Sequence, residues 1–150
     1  METRIELLPE KTLLGKSMRM SLAKNRTSEL WKSFMIDKAK IDSPIGVTLY
    51  SIQVYDTPLC FDTFGPDTEF IKWAAIEVEE PVNIPNGFLD FVLKSGLYAV
   101  FIHKGTSAEF HKTFLYILGQ WLPQSEYELD DRPHFEILGE KYKNNDPSSE

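Results

Sequence analysis

The sequence has little cysteine and no long apolar run. Cys60 is the single cysteine among the 150 residues, which excludes an intrachain disulfide. No Cys/His spacing is typical of a zinc site, so we expect no metal. No segment approaches the roughly 20 apolar residues of a membrane-spanning helix. The first ten residues also lack the apolar core of a signal peptide. The sequence therefore predicts a cytoplasmic protein with no membrane partner.

An excess of positive charge is missing as well. The chain has 16 Lys and Arg residues against 23 Asp and Glu, and the basic residues are spread along it. Because such a surface repels a phosphate backbone, we expect no direct nucleic-acid binding. A cation or a neutral aromatic molecule is a better partner. No phosphate loop, dinucleotide fingerprint or G-x-S-x-G motif is present, so we expect no cofactor and assign no catalytic residue from such motifs.

Aromatic residues, in contrast, are abundant. Ten Phe, six Tyr and three Trp make up 13% of the chain. A chain of this length forms one compact domain, so residues 1–150 are predicted to be a single domain. Some of the rings could cover a ligand rather than a core.

Hydrophobic periodicity predicts two helices among many strands. One apolar stripe contains Leu30 and Phe34, and another runs from Phe110 to Trp121 and is closed by Pro123. The remaining segments are rich in alternating, β-branched and aromatic residues. The predicted strands are Arg4–Leu8, Leu13–Met20, Val47–Tyr55, Thr68–Glu79, Gly87–Leu93, Gly96–His103 and His134–Gly139.

The order of these elements indicates a weak internal duplication. Strand, helix, strand, strand is followed by strand, strand, helix, strand, so the second half is one strand short. Residues 143–150 are predicted to form a polar tail, and the final strand of the second half is expected to be missing. Two helices cannot cover both faces of such a sheet. We therefore predict an α+β fold of two pseudo-symmetric halves, an antiparallel sheet with both helices on one face, and a partly open second face.

Glu136 is the most informative single residue. It lies in the predicted strand His134–Gly139 between large apolar neighbours. Its carboxylate either points to solvent or is buried at a cost of several kcal/mol unless compensated. If it is buried and ionised it could hold a cation, and with a raised pKa it could act as a general acid or base. Both orientations stay open.

Aromatic residues offer matching chemistry for such a ligand. Their rings could form cation–π walls around an organic cation or stack on a flat molecule. For each ring taken alone, core packing is the alternative. The candidates are Trp73, Tyr50, Tyr55, Tyr98, Phe101, Trp121 and Tyr127.

Three segments of the second half resemble one known family. They are Leu97–Gly105, Gly119–Leu129 and Arg132–Glu136, and the combination W-L-P-x-S-x-Y…R-P-x-F-E is their most specific part. These segments resemble the GyrI-like effector-binding family, which includes the ligand-binding domains of AraC-type and MerR-type multidrug-responsive transcription regulators. The resemblance extends through Trp31–Phe34 and covers nearly the whole chain.

The resemblance implies a central cleft that binds hydrophobic, often cationic compounds. The cleft glutamate of the family maps onto Glu136 and its helix-end tryptophan onto Trp121, while Glu126 stands where the family has glycine. We therefore predict a stand-alone small-molecule-binding protein for effector binding, sensing or sequestration, with a protein partner or a homodimer as further options.

Two alternatives also follow from the resemblance. One is a hydrolase of cyclopropane-type genotoxins, in which Glu136 activates water and Trp121 stacks on the substrate. The other is a gyrase-inhibitor-type interaction protein.

Overall fold

The computed structural model describes residues 2–42, 44–57, 59 and 62–139. The strands are β1 (Thr3–Leu8), β2 (Lys11–Met20), β3 (Pro44–Tyr55), β4 (Phe70–Val78), β5 (Leu89–Leu93), β6 (Gly96–Phe101) and β7 (His134–Leu138). The helices are α1 (Thr27–Asp37), α2 (Phe110–Tyr116) and α3 (Leu122–Gln124), with 3-10 turns at Lys38–Lys40 and Ser107–Glu109 and a π-helical turn at Ile117–Trp121. We call residues 107–124 the second helical segment.

The strands form two antiparallel sheets. The larger has the order β5-β2-β4-β3-β7, and the smaller pairs β1 with β6. Pro9 lies between β1 and β2, and because proline has no N–H for the ladder it ends the pairing of β1. The predicted α+β fold with antiparallel strands and two helical segments is confirmed.

Side chains of β4 alternate between two packed faces. Phe70, Ala74 and Ile76 face α1 and pack with Leu30 and Phe34, both of which are 0% exposed. We call this side of the five-stranded sheet the α1 face. Burying such large apolar side chains stabilises the fold by about 1.5–3 kcal/mol each, so α1 is held to the sheet mainly by this stripe.

The other side of the same sheet, which we call the opposite face, is packed in its middle as well. Its buried cluster consists of Leu13, Tyr50, Ile52, Ala75 and Leu93, with Val54, Trp73, Phe91 and Phe135 packed against it. The ring of Tyr98 on β6 lies 5.4 Å from that of Phe135, so part of the smaller sheet reaches this face. This face is nevertheless partly open at its two edge strands, where Leu89 and Ile137 are 56% and 50% exposed.

The second helical segment is less regular than α1. The sequence predicts that Pro123 closes this helix, whereas the helix continues to Gln124. Before it, the Leu122 N–H donates to the Ile117 carbonyl five residues earlier. A proline ring clashes with the carbonyl four residues before it and offers no N–H, and the wider π turn accommodates both defects. Trp121 ends this turn.

The boundaries of the strands differ from the predictions by a few residues. β3 begins at Pro44 rather than Val47, and β4 begins at Phe70 rather than Thr68. The predicted tail at residues 143–150 and the expected loss of a final strand fall outside the described residues. Within the part of the chain that is described, the longest helix is too short to cross a bilayer.

Candidate functional site

Strand β7 places Glu136 on the α1 face of the sheet. Its side chains alternate, and Glu136 pairs with Ser51 while His134 pairs with Gln53 on the neighbouring strand β3. On the far side of β3, Gln53 pairs with Lys72 of β4. Because directly paired residues of antiparallel strands share a face, these five side chains belong to one surface.

Four of them form a polar cluster, which we define as Ser51, Gln53, Lys72 and Glu136. The Gln53 Nε2 donates to Glu136 Oε1 at 3.1 Å and lies 3.5 Å from the Ser51 hydroxyl. Ser51 and Gln53 are buried, at 5% and 9% exposure. The carboxylate of Glu136 is therefore held in one orientation by an amide that is itself fixed in the sheet.

Burial dominates the electrostatics of this cluster. Desolvation raises the pKa of Glu136, and the charge of Lys72 and the Gln53 hydrogen bond oppose this rise. Desolvation also lowers the pKa of Lys72, and the charge of Glu136 opposes this fall. Each residue thus favours the charged form of the other and opposes the effect of burial on its pKa.

Aromatic side chains border the polar cluster on one side. The Tyr55 ring lies 5.4 Å from Phe70, 5.6 Å from His134 and 6.3 Å from Phe64, and Phe64 contacts Phe114 of α2 at 5.3 Å. We call these five residues the aromatic wall. Burial raises the pKa of the Tyr55 hydroxyl and lowers that of His134. Both groups are therefore held in their neutral forms beside Glu136.

Two other predicted site residues lie on the opposite face of the sheet. Trp73 packs against Phe91 with 4.9 Å between ring centroids, and Tyr50 packs against Phe135 at 6.3 Å. Tyr98 contacts Phe135 as well, and its hydroxyl donates to the Lys94 carbonyl. A ligand that reaches Glu136 from the α1 face would therefore not touch Trp73 or Tyr50.

The remaining predicted aromatic residues form a third group around Trp121 of the second helical segment. Trp121 meets Phe101 of β6 edge-on at 5.0 Å and stacks on Tyr127 at 6.4 Å. Tyr127 is 40% exposed. The ring contacts of Trp121 in the described residues are these two, so the structure groups Trp121 with Phe101 and Tyr127.

Arg132 fixes the segment that leads into β7. Its Nη2 donates to the Leu97 carbonyl at 2.8 Å, its Nε pairs with Asp130 at 2.9 Å, and its guanidinium lies 4.7 Å from the Tyr98 ring centroid. These contacts join β6 to the start of β7. Arg132 therefore positions the strand that carries Glu136, four residues later.

Two cavities lie near these groups. One of about 60 Å³ includes Tyr55 and His134 in its lining, which is room for a few water molecules. A shallow groove of about 400 Å³ runs along the second helical segment past Leu115, Tyr116 and Gly119. The groove has the volume of a small ligand but no carboxylate in its lining. Neither of these two linings includes Glu136, so we place the candidate site at the polar cluster and the aromatic wall on the position of this carboxylate rather than on a cavity.

Sequence reasoning singled out Glu136 and Tyr55 but missed Lys72, Gln53 and Ser51. The sequence did contain an indication for Lys72, because it lies at an even-numbered position of β4, as the apolar residues Phe70, Ala74 and Ile76 do. Alternate residues of a strand share a face, so this spacing places Lys72 on the buried face. In the described part of the chain, no three His, Cys, Asp or Glu side chains gather closely enough to hold a metal ion.

Comparison with known proteins gives a curated transcriptional regulator and several solved structures of similar fold. The transcriptional regulator BrlR of Pseudomonas aeruginosa is 31% identical over 86 residues, which are 57% of this chain and 32% of that protein. The chain thus matches about a third of the regulator's length. SAV2435 bound to tetraphenylphosphonium has a similar fold, with a TM-score of 0.68 at 16% identity over 99% of this chain and 87% of that one.

A third relative is the C-terminal domain of EcmrR, with a TM-score of 0.68 at 16% identity over 99% of this chain and 90% of that domain. At this identity the two structures show a common fold. The family model of the GyrI-like small molecule binding domain matches residues 1–150. The resemblance of the sequence motifs is confirmed, and the chain belongs to the GyrI-like small-molecule-binding domain family.

Proposed function

We propose that this domain binds hydrophobic or cationic aromatic compounds between its polar cluster and its aromatic wall. The observation that carries the proposal is the partly buried Glu136 carboxylate, which Gln53 orients at 3.1 Å beside the ring of Tyr55. The binding would serve an effector-binding, sensing or sequestering role.

The chemistry of the site supports this ligand class. A desolvated carboxylate attracts an organic cation more strongly than one in water, because the local dielectric constant is low. Neutral aromatic rings next to it offer stacking and cation–π contacts. Tetraphenylphosphonium, the compound bound to SAV2435, is an aromatic cation of this type.

The small volume at the aromatic wall sets a condition on binding. A cavity of about 60 Å³ is far below the several hundred Å³ of a dye-sized ligand. Binding therefore requires the wall to move. Phe64 and Phe114 are the suitable parts, because one lies in the loop between β3 and β4 and the other on the less regular second helical segment.

Fluorescence anisotropy tests the proposal directly. Purified protein is titrated into rhodamine 123, rhodamine 110 and a neutral coumarin, and tetraphenylphosphonium is used as a competitor. We expect saturable binding of at least one dye and its displacement by the competitor. Replacing Glu136 by Gln should weaken binding of the cationic dye by about tenfold or more, as for loss of a charge-assisted contact.

The matched control is Glu80→Gln, which removes the same charge from an exposed position after β4. This control should bind as the wild type does, and circular dichroism should show both variants folded. The proposal is contradicted if no dye saturates, or if Glu136→Gln and Glu80→Gln bind equally well.

A further inference from the structure

Lys72 is an unusual neighbour for a carboxylate that receives cations. It lies on the α1 face of β4, directly opposite Gln53, and Gln53 bonds to Glu136. The site of the acid therefore contains a built-in cation. Burial in this surface disfavours the charged form of Lys72, and charged side chains in such positions are normally paired.

Another lysine on the same face shows what full pairing looks like. Lys16 of β2 donates to the Ser33 hydroxyl at 2.9 Å and to Asp37 at 2.5 Å. Among the described residues, no carboxylate lies within 4.0 Å of the Lys72 ammonium, although Glu136 is close enough to act on its pKa. No side chain or backbone group of the described residues accepts a hydrogen bond from the Lys72 ammonium, so within this part of the chain its donor capacity is unused.

The negative charge of Glu136 and the positive charge of Lys72 favour ligand groups of opposite sign. A simple organic cation gains from Glu136 but is repelled by Lys72, so much of the electrostatic attraction is cancelled. A compound that also carries an anionic group satisfies both side chains at once. The aromatic wall, which begins at Tyr55 on the same face, provides the surface for a flat ring system between the two poles.

We infer that the preferred ligand of this site is an amphoteric aromatic compound, whose cationic or hydrogen-bond-donating group meets Glu136 and whose anionic group meets Lys72. The inference rests on the proposed function, since it concerns the same site, and it narrows the ligand class. Complementary charge placement of this kind determines specificity more than total affinity.

Rhodamine 110 and rhodamine 123 form a matched pair of probes. They share one ring system, and they differ because rhodamine 123 carries a methyl ester where rhodamine 110 has a carboxylate. Anisotropy titrations of both dyes give a ratio of dissociation constants for each protein. In the wild type we expect rhodamine 110 to bind about tenfold more tightly, as one well-placed charge contact allows.

Lys72→Met keeps the unbranched shape and most of the length of the side chain and removes its charge. This variant should bind rhodamine 123 more tightly and rhodamine 110 more weakly, so that the preference disappears or reverses. Lys32→Met is the control, because Lys32 is exposed on α1 and its loss changes the net charge equally. It should keep the wild-type ratio.

The outcomes separate the two proposals. If neither rhodamine binds the wild type, this inference is wrong, and if the neutral coumarin does not bind either, the proposed function fails as well. If the dyes bind but rhodamine 123 equals or exceeds rhodamine 110 in the wild type, the inference alone is wrong. It is also wrong if Lys72→Met keeps the wild-type ratio. The wild-type ratio needs no variant, so it decides the matter even if Lys72→Met does not fold.

Discussion

The α1 face of the large sheet has two regions that are built differently. Under α1 the surface is apolar around Phe34, and its lysine, Lys16, is paired with Asp37 and Ser33. Across β4, β3 and β7 the surface carries Lys72, Gln53 and Glu136, and the charges of Lys72 and Glu136 are only partly compensated. The first region holds the fold together, whereas the second retains a free-energy cost of desolvation. Such locally unfavourable groups are typical of functional sites.

The strongest test of this comparison removes a phenylalanine from each helical segment. Phe34→Ala should destabilise the protein by about 3–5 kcal/mol, as truncation of a fully buried ring does. Phe114→Ala should cost less than half as much, because Phe114 is partly exposed and rests on the loop residue Phe64. Urea unfolding measures both values. Equal losses would show that the second helical segment is as firmly packed as α1.

The next test exchanges each lysine for methionine. Lys16→Met should lower the melting temperature by a few degrees, because it leaves Asp37 and Ser33 without their common donor. Lys72→Met should leave the melting temperature unchanged or raise it slightly, because it removes a charge that burial disfavours. Differential scanning calorimetry at pH 7 distinguishes the two signs. A large loss in Lys72→Met would mean that Glu136 depends on Lys72 for its burial.

The contrast between the regions was only partly predictable from the sequence. The stripe of Leu30 and Phe34 follows from helical periodicity, and so does the burial of alternate residues in β4. The pairing of β7 with β3 joins residues more than eighty positions apart, such as Gln53 and Glu136. No local pattern contains this register, because it depends on how the whole sheet assembles.

The same alternation explains the placement of two aromatic candidates. Tyr50 directly precedes Ser51, and Trp73 directly follows Lys72. Consecutive residues of a strand point to opposite faces, so both rings are directed away from the polar cluster. Composition and motif resemblance identify such residues as candidates but carry no information on the face. To decide which residues of each strand share a face with Glu136, the pairing register of the strands must be known.

The pH dependence of stability offers a finer test of the polar cluster. Burial raises the pKa of Glu136 in the folded state, so the folded protein binds this proton more tightly than the unfolded chain. The resulting stabilisation is complete below the unfolded value of about 4.5 and is lost as the pH rises through the raised folded value. Glu136→Gln has no titrating carboxyl at this position and therefore lacks this pH-dependent stabilisation. We therefore expect the stability of the wild type relative to Glu136→Gln to fall as the pH rises from 4.5.

Urea unfolding of both proteins over this pH range measures the difference. The control is Glu80→Gln, since Glu80 is exposed and the pH dependence of this variant should parallel that of the wild type. A stability difference between wild type and Glu136→Gln that does not change with pH would show that Glu136 is well solvated.

The smallest expected effect is the pH dependence of stability that His134 contributes, and its sign is opposite to that of Glu136. Burial lowers the pKa of this imidazole below its ordinary value of 6.5, so the unfolded chain binds the proton more tightly than the folded protein. The contribution of His134 to stability is complete above pH 6.5 and falls as the pH drops from there towards the lowered pKa of the folded state.

His134→Phe keeps an aromatic ring against Tyr55 and removes the titrating group. Between pH 7 and 5, the stability of the wild type relative to this variant should therefore decline by an amount smaller than the effect of Phe34→Ala, as measured by urea unfolding. Because Glu136 and Lys72 share this face and remain in both proteins, their contributions largely cancel, and a flat difference would place His134 in contact with solvent.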